Sequence, residues 1–489
     1  MINKMRIALL LICVLCLFMF SACTDNAENT GSKKGETAGT VEKTSDATVE
    51  KVINVYEENG LPKDEEVTLK IAIFEGGSGR EWYNDAMNSF VKKFPNVKLE
   101  PIFSPKIGTI IQTKVAANDD VDMFNLFSSV LSEIELVSNK KIISQEHLWD
   151  HKLYDTPDKT LKDIAVEGIY ETNQRNEGLS YCLPMYTQAS GLFFDQNLFD
   201  EKGWNKFPKT WDEFLSLCEE IKKSGIDPLI FPGIYPDYLD RAFGAKNFEI
   251  AEINGNLDQY TDNFRNYEGP QYTSLENIVR WGKIAELGKK GYFAEGIAAL
   301  NHTQSQMQVL QHKTAMVSTG SFVQNEMKDS TPEGFKWGFM AVPFSNNPDD
   351  TTWIFSSTSR AFHVWDAKPD LEKRWSEEFI VWLWNMDVQV TIAEKAGMLP
   401  IRKDFSDDPE RVAKLKEAPK SVLQYMENKK TKFENLYRQV SINDPLVAQA
   451  KKLYDEAVVS MCLGDKDFEP VLQEAEKILQ EAIKANKSK

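Results

Sequence analysis

The stretch YCLPMYTQASGLFFDQNLFDEKGWNKFPKTWDEFLSLCEEIKKSGI, Tyr181 to Ile226, decides how the 489-residue chain is organised. An extended piece, Leu179 to Pro184, leads to a polar and aromatic patch at Tyr186, Thr187 and Gln188, then to a short apolar strand, Gly191–Leu192–Phe193–Phe194. Pro208 precedes Thr210–Trp211–Asp212–Glu213, whose Thr-x-x-Glu spacing predicts a capping box. The Thr hydroxyl and the Glu carboxylate each take an N–H that the first helical turn leaves without a partner. Phe214, Leu217, Cys218 and Ile221 recur on one face of that helix, so it packs against a core. A chain that runs extended through polar residues and then starts a capped, amphipathic helix is leaving one lobe and building another.

Upstream, Val67, Leu69, Ile71 and Ile73 alternate as a strand over Val67 to Phe74, followed by Gly76–Gly77–Ser78–Gly79 and a helix from Glu81 to Phe94. A second strand is expected over Val97 to Phe103, a helix over Ile107 to Asn118 and a third strand over Val121 to Phe127. This βαβαβ order implies a parallel sheet with helices on both faces. Ligands of such sheets sit beyond the C-terminal strand ends, here Glu75 to Arg80 and Asn125 to Ser128. Downstream, strands are expected near Pro228 to Pro232, over Thr314 to Ser318 and within Phe335 to Val342. A long strand is expected over Thr352 to Trp365. Thr273 and Glu276 predict a second capping box; helices follow at Trp375 to Met386, at Val388 to Ala396 and beyond Pro445, with a break near Gly464.

The length exceeds one ordinary core, in keeping with two lobes. A formal charge of −17 and a pI near 5.0 repel phosphate backbones and argue against a nucleic-acid partner. Lys4 and Arg6 precede a short apolar run, Ile7 to Phe20, of signal-peptide length; a spanning helix needs about 20 apolar residues. Phe20–Ser21–Ala22–Cys23 resembles a bacterial lipoprotein signal, with Cys23 as the acylated residue after a signal peptide of residues 1–22. Thr24 to Lys51 has no aromatic and no periodicity, so residues 23–66 are expected to form a disordered tether. Cys182, Cys218 and Cys462 have no metal-ligand spacing and suit buried free thiols, though a single disulfide among them stays open.

Several constellations carry competing readings. Gly76 to Gly79 lacks the Lys-Ser/Thr of a phosphate-binding loop; it suits either a turn that brings backbone N–H groups to a ligand hydroxyl or a bare turn. His147 and His151, four apart with Asp150 between, have no identifiable third metal ligand. Asp465, Asp467 and Glu469 lack the glycine of a calcium loop. Paired carboxylates for glycosidic hydrolysis converge in space and leave no spacing, so a secreted glycoside-acting enzyme stays open as an alternative. Rings at Trp82, Tyr186, Tyr235, Phe322 and Trp353 fall beside predicted strand ends and hinges. With Ser78, Arg80, Asn125, Gln188, Ser321 and Ser357 they suit a sugar, whose C–H faces pack on rings and whose hydroxyls need directional partners.

The run Tyr181 to Phe214 resembles the first hinge of family 1 extracellular solute-binding proteins, the sugar-capturing subunits of bacterial ABC importers. FVKKFPNVKLE (Phe90–Glu100), TAMVSTGSF (Thr314–Phe322), WGFMAVP (Trp337–Pro343) and the run Ala393 to Arg402 fit the same family in order and spacing. The resemblance implies a type II periplasmic-binding-protein-like α/β fold, two lobes with parallel-rich sheets joined by a multi-segment hinge. It implies lobe 1 over residues 67–182 and 358–405, and lobe 2 over 183–357 and 406–489. It implies ligand contacts from Ser78 and Arg80, Asn125, Tyr186 and Gln188 with Ser357, and Ser321 with Phe322; Trp82, Tyr235 and Trp353 join them by neighbourhood. The expected protein is a lipid-anchored monomer on the outer face of a bacterial membrane. It would bind a carbohydrate, pass it to ABC importer permease subunits and catalyse nothing, with no cofactor or metal. A nontransport sensing role is the alternative within binding proteins.

Overall fold

The computed structural model describes residues 54–117, 121–125, 131–440 and 442–487. The signal-peptide and Cys23 expectations, most of the tether and the loop after Asn125 lie outside them. Among the described residues ten strands build two sheets: β1 (Val67–Phe74), β2 (Val97–Ser104), β3 (Met123–Phe124), β4 (Pro184–Asp195), β5 (Asp227–Ile230), β6 (Thr314–Gly320), β7 (Trp337–Met340), β8 (Thr352–Arg360), β9 (His363–Val364) and β10 (Thr431–Glu434).

The first sheet has the order β2-β1-β3-β9. β1 runs parallel to β2, with Val67 opposite Val97, and parallel to β3, while β9 closes the edge antiparallel. Leu69, Ile71 and Ile73 of β1 point into a core of helix Glu81–Lys93 and helix Asp370–Trp382 residues, among them Trp82, Phe90, Trp375 and Phe379. The second sheet has the order β10-β8-β4-β6-β5, with β7 also on β4. It is mixed: β4 is antiparallel to β6, β7 and β8, whereas β5–β6 and β8–β10 are parallel. Gly191 is where β7 closes on β4; a Cβ there would stand 2.5 Å from the Phe339 ring.

Three segments pass between the sheets. β4 begins beside Leu183 of the first core and ends within the second. The long strand expected over Thr352 to Trp365 is two strands: β8 in the second sheet, then Ala361–Phe362 and β9 in the first. The third passage follows Leu399, whose backbone exchanges hydrogen bonds with Thr187, and leads to the helix Glu417–Asn428 packed on the second core.

Two expectations need correction. Residues 54–66 are packed rather than part of a loose tether: Tyr56 sets its ring edge-on to Phe94 and Trp375, donates to Asn96 Oδ1 at 2.8 Å, and Leu61 is fully buried. An aromatic and a leucine across a turn bury enough apolar surface to hold this piece down. The second capping box does not form; a single side-chain cap stands one residue on. Ser274 is the N-cap, accepting from Asn277 N–H, while Glu276 accepts from Asn256. At Thr210 the hydroxyl caps Glu213 N–H at 3.2 Å, and the Glu213 carboxylate takes Lys209 N–H.

Candidate functional site

Where β4 and β8 pair, Gln188 stands opposite Ser357 and Ser190 opposite Phe355. Strand alternation places Tyr186, Gln188 and Ser190 on one face of β4 and Phe355, Ser357 and Ser359 on one face of β8. The Gln188 amide donates to the Ser357 hydroxyl. Burial pushes the Tyr186 hydroxyl up, and hydrogen bonds with Ser359 and Ser78 pull it part of the way back. Ser78 therefore joins the hinge strands from the first lobe's Gly-rich turn. Trp82 lies beneath, its ring edge-on to Tyr186 at 5.7 Å and stacked on Tyr83 at 3.6 Å.

Second-lobe groups meet the same place. Ser321 N–H donates to Ala189 O at 2.9 Å. The Phe322 ring lies against Gly77, and Asn325 donates to the Gly77 carbonyl. Lys416 donates to Asn325 Oδ1 at 2.6 Å and to Lys395 O at 2.9 Å, and Lys328 faces Glu81 at 3.7 Å. Gly79, at φ +67°, lets the turn reverse beneath this seam, a conformation that favours glycine.

Buried polar atoms without protein partners gather at this junction: Ser190 Oγ, Ser321 Oγ, Trp82 Nε1, Arg241 Nη1 and Gln306 Oε1. Such atoms are costly in a folded chain, and around a binding site they are the ones a polar ligand can satisfy. Three further residues escape a reading of the sequence. Tyr238 packs on the first core from the second lobe. Its ring stacks at 6.3 Å with His302, which pairs with Glu326 at 3.2 Å. Contact with Glu326 holds the His302 imidazole above its ordinary value against the opposing effect of burial. Arg241 lies over the rings of Tyr238 and Phe355. The Tyr-x-x-Arg spacing behind Pro236 is the only sequence trace of this arrangement.

Not every expected residue converges here. Arg80 is exposed and bound to Glu75, with its guanidinium over Phe103. Asn125 is a bracket inside the first lobe, accepting from Phe74 N–H at 3.0 Å and donating to Ala361 O. Tyr235 is 43 % exposed at the rim, 5.8 Å from His302. Trp353 lies at the remote end of β8, stacked on Phe248 and donating to Glu252 at 2.7 Å. His147 and His151 face Glu377 and Glu378, and no group of three metal-type side chains occurs among the described residues. Cys182, Cys218 and Cys462 are free and buried.

A surface pocket of about 230 Å³ lined by Asn256, Tyr260, Phe264 and Gln271 lies elsewhere on the second lobe. Its amides are largely committed: Gln271 donates to three backbone carbonyls and Asn256 to Glu276. The hinge face has the stronger claim, because rings and short polar side chains from both lobes meet there; Asn256 Oδ1 in the other pocket is unpartnered as well.

A family model described as bacterial extracellular solute-binding protein matches residues 76–390. The diacetylchitobiose binding protein NgcE of Streptomyces coelicolor is 24 % identical over 298 residues, 58 % of this chain and 58 % of the relative. The chain thus matches less than two thirds of that relative's length. A solved chitin oligosaccharide binding protein superposes with a TM-score of 0.63 at 17 % identity, covering 85 % of this chain and 99 % of the other. The apo form of RafE from Streptococcus pneumoniae does so with a TM-score of 0.63 at 16 % identity, covering 86 % and 98 %. At these identities the structural likeness shows the two-lobed fold.

Proposed function

The chain belongs to the bacterial extracellular solute-binding proteins, and from that premise we propose that it captures a carbohydrate, an oligosaccharide, at the hinge between its lobes for an ABC importer. The observation that carries this reading is the hinge face itself. The part-exposed rings of Tyr238 and Phe355 stand beside Gln188 and Ser357, over the buried Trp82, Tyr186, Phe322, Ser78, Ser190 and Ser321. A sugar needs that mixture: flat apolar surface for its C–H faces and short polar groups at fixed angles for its hydroxyls. The seam from Gly77 to Asn325 and Lys416 would hold the lobes together over the ligand.

The chain would act by binding alone, as a monomer, and release the saccharide unchanged. Sustained production of reducing ends by the purified protein would overturn that. Anchoring through an acylated Cys23 rests on the residues before it. Cys23→Ala should move the protein from the membrane fraction to the soluble one, and an unchanged distribution would remove the anchor from the account.

The direct test is a melting-temperature panel of oligosaccharides, including chitin oligosaccharides because proteins of similar fold or sequence are named for them. A ligand that prefers the folded state raises the melting temperature. At least one saccharide should do so in a saturable way; no shift with any would contradict the reading.

A further inference from the structure

Arg241 differs from the other partly or fully buried arginines. Arg175, Arg265, Arg280, Arg360 and Arg402 each face a carboxylate, from Glu146, Glu434, Asp240, Glu133 and Asp155 respectively. Arg438, without an acid, is hydrogen-bonded to Phe264 O and to the Gln271 amide oxygen. Arg241 has neither an acid nor a hydrogen-bond acceptor among the described residues. Its guanidinium lies 5.4 Å from the ring centroids of Tyr238 and Phe355, with Nη1 buried and unpartnered.

Of the acids nearby, Asp237 is exposed and makes no ion pair with Arg241, and the other two are already matched. Asp240, its neighbour in sequence, is held by Arg280 at 2.7 Å, and Glu326 by His302 at 3.2 Å and Gln306 at 2.8 Å. The segment carrying Arg241 is fixed on β6, since Ala242 N–H donates to the Ser318 hydroxyl and that hydroxyl donates to Tyr238 O. Phe355, beneath the guanidinium, is the cross-strand partner of Ser190, two residues from Gln188. A positioned cation thus stands on the hinge face with no counter-charge. Desolvating it is costly unless a charged partner arrives, and a planar guanidinium matches a carboxylate through two parallel hydrogen bonds. A neutral hydroxyl supplies an acceptor but no charge.

We propose that the ligand captured at the hinge carries a carboxylate, as a uronic-acid-bearing saccharide does, and that Arg241 selects it. This rests on the carbohydrate reading above. The acidity of the whole chain slows the approach of such a ligand without deciding its affinity, which the local groups set.

The test is calorimetric titration of the purified full-length chain with matched pairs: glucuronosyl-xylotriose against xylotriose, and digalacturonate against galactobiose. In at least one pair the acidic member should bind about tenfold tighter or more, the scale of a charge-assisted hydrogen bond. The margin should shrink at high salt, collapse in Arg241→Gln and survive in part in Arg241→Lys. Melting of each ligand-free variant shows whether it is folded; should Arg241→Gln not fold, Arg241→Lys and the salt titration give the reading. Equal or weaker binding of the acids, a margin indifferent to salt, or a margin unchanged in Arg241→Gln would each overturn the proposal. Neutral saccharides binding without an acid preference would leave the carbohydrate reading standing. Binding of no saccharide of either kind would end both.

Discussion

The two ends of β8 solve opposite problems. At the remote end, Trp353 is 7 % exposed and its own N–H, carbonyl and indole N–H are all matched. The Glu249 carboxylate accepts from Trp353 N–H at 2.9 Å and Phe344 N–H at 2.6 Å, and Lys246 bonds both Glu249 and the Trp353 carbonyl. The same strand, two to six residues on, presents Phe355, Ser357 and Ser359 to a face where Ser190, Ser321 and Arg241 keep unpartnered atoms. The saturated end holds a lobe together and the unsaturated end leaves bonds for a ligand. A tryptophan in a strand does not by itself announce which of the two it serves.

The comparison is most severely tested at its saturated end. Glu249→Ala leaves the Lys246 ammonium buried without its counter-charge and two N–H groups without an acceptor. Removing one partner of a buried ion pair costs about 3–5 kcal/mol. Urea unfolding should record that loss, and a variant as stable as wild type would show that this end is not the staple described.

Tyr186→Ala should come next, at about 3 kcal/mol, the cost of truncating a buried ring. From sequence, Tyr186 is expected to be wet in an open cleft, with little effect on the ligand-free protein. Instead it is 6 % exposed and packed on Trp82, within the first core. Unfolding of the ligand-free variant decides between the two; unchanged stability would return Tyr186 to a purely ligand-facing role.

A smaller effect concerns the exit of β8, where Glu133 meets Arg360 and, at 2.6 Å, His363. Burial opposes both charges, yet Arg360 and His363 hold the Glu133 carboxyl down at about 2, and Cys182 and Glu133 hold His363 up at about 9. His363 therefore contributes stability that is whole below its unfolded value of about 6.5 and is lost as pH rises through about 9. Glu133 contributes stability that is whole above about 4.5 and is lost as pH falls towards 2. The urea midpoint should fall on both sides of that window. Glu133→Gln should flatten both limbs, and an unchanged profile in that variant would contradict the assignment.

What could be read from the chain alone divides along physical lines. Local periodicity announced β1, β2 and the helices Glu81–Lys93 and Ile107–Ala117 within a residue or two, because alternation and helical stripes are written in neighbouring residues. Gly464 ends the helix Pro445–Leu463 in the left-handed region, and that break was legible too. The division of β8 from β9 was not, since Ala361 and Phe362 look like more strand until two different sheets claim their neighbours. Gln188 and Ser357 were expected together and are hydrogen-bonded. Tyr238 and Arg241 were missed because their position depends on Ser318, some 80 residues away, and on rings from β8. Adjacency in sequence places Trp353 at the site, whereas Phe248, Glu252 and Lys246 hold it at the other end of β8.

The measurement that bears most directly on the account is a calorimetric titration of wild type, Gln188→Ala and Trp353→Phe with one saccharide that the melting panel selects. Gln188→Ala should weaken binding by about 1–2 kcal/mol, the scale of a ligand hydroxyl left unpaired, while the ligand-free protein melts as wild type does. Trp353→Phe should lose some stability with its bond to Glu252 and bind the saccharide unchanged. Unchanged affinity in Gln188→Ala, or a loss of affinity confined to Trp353→Phe, would place the ligand away from the hinge face and contradict the account.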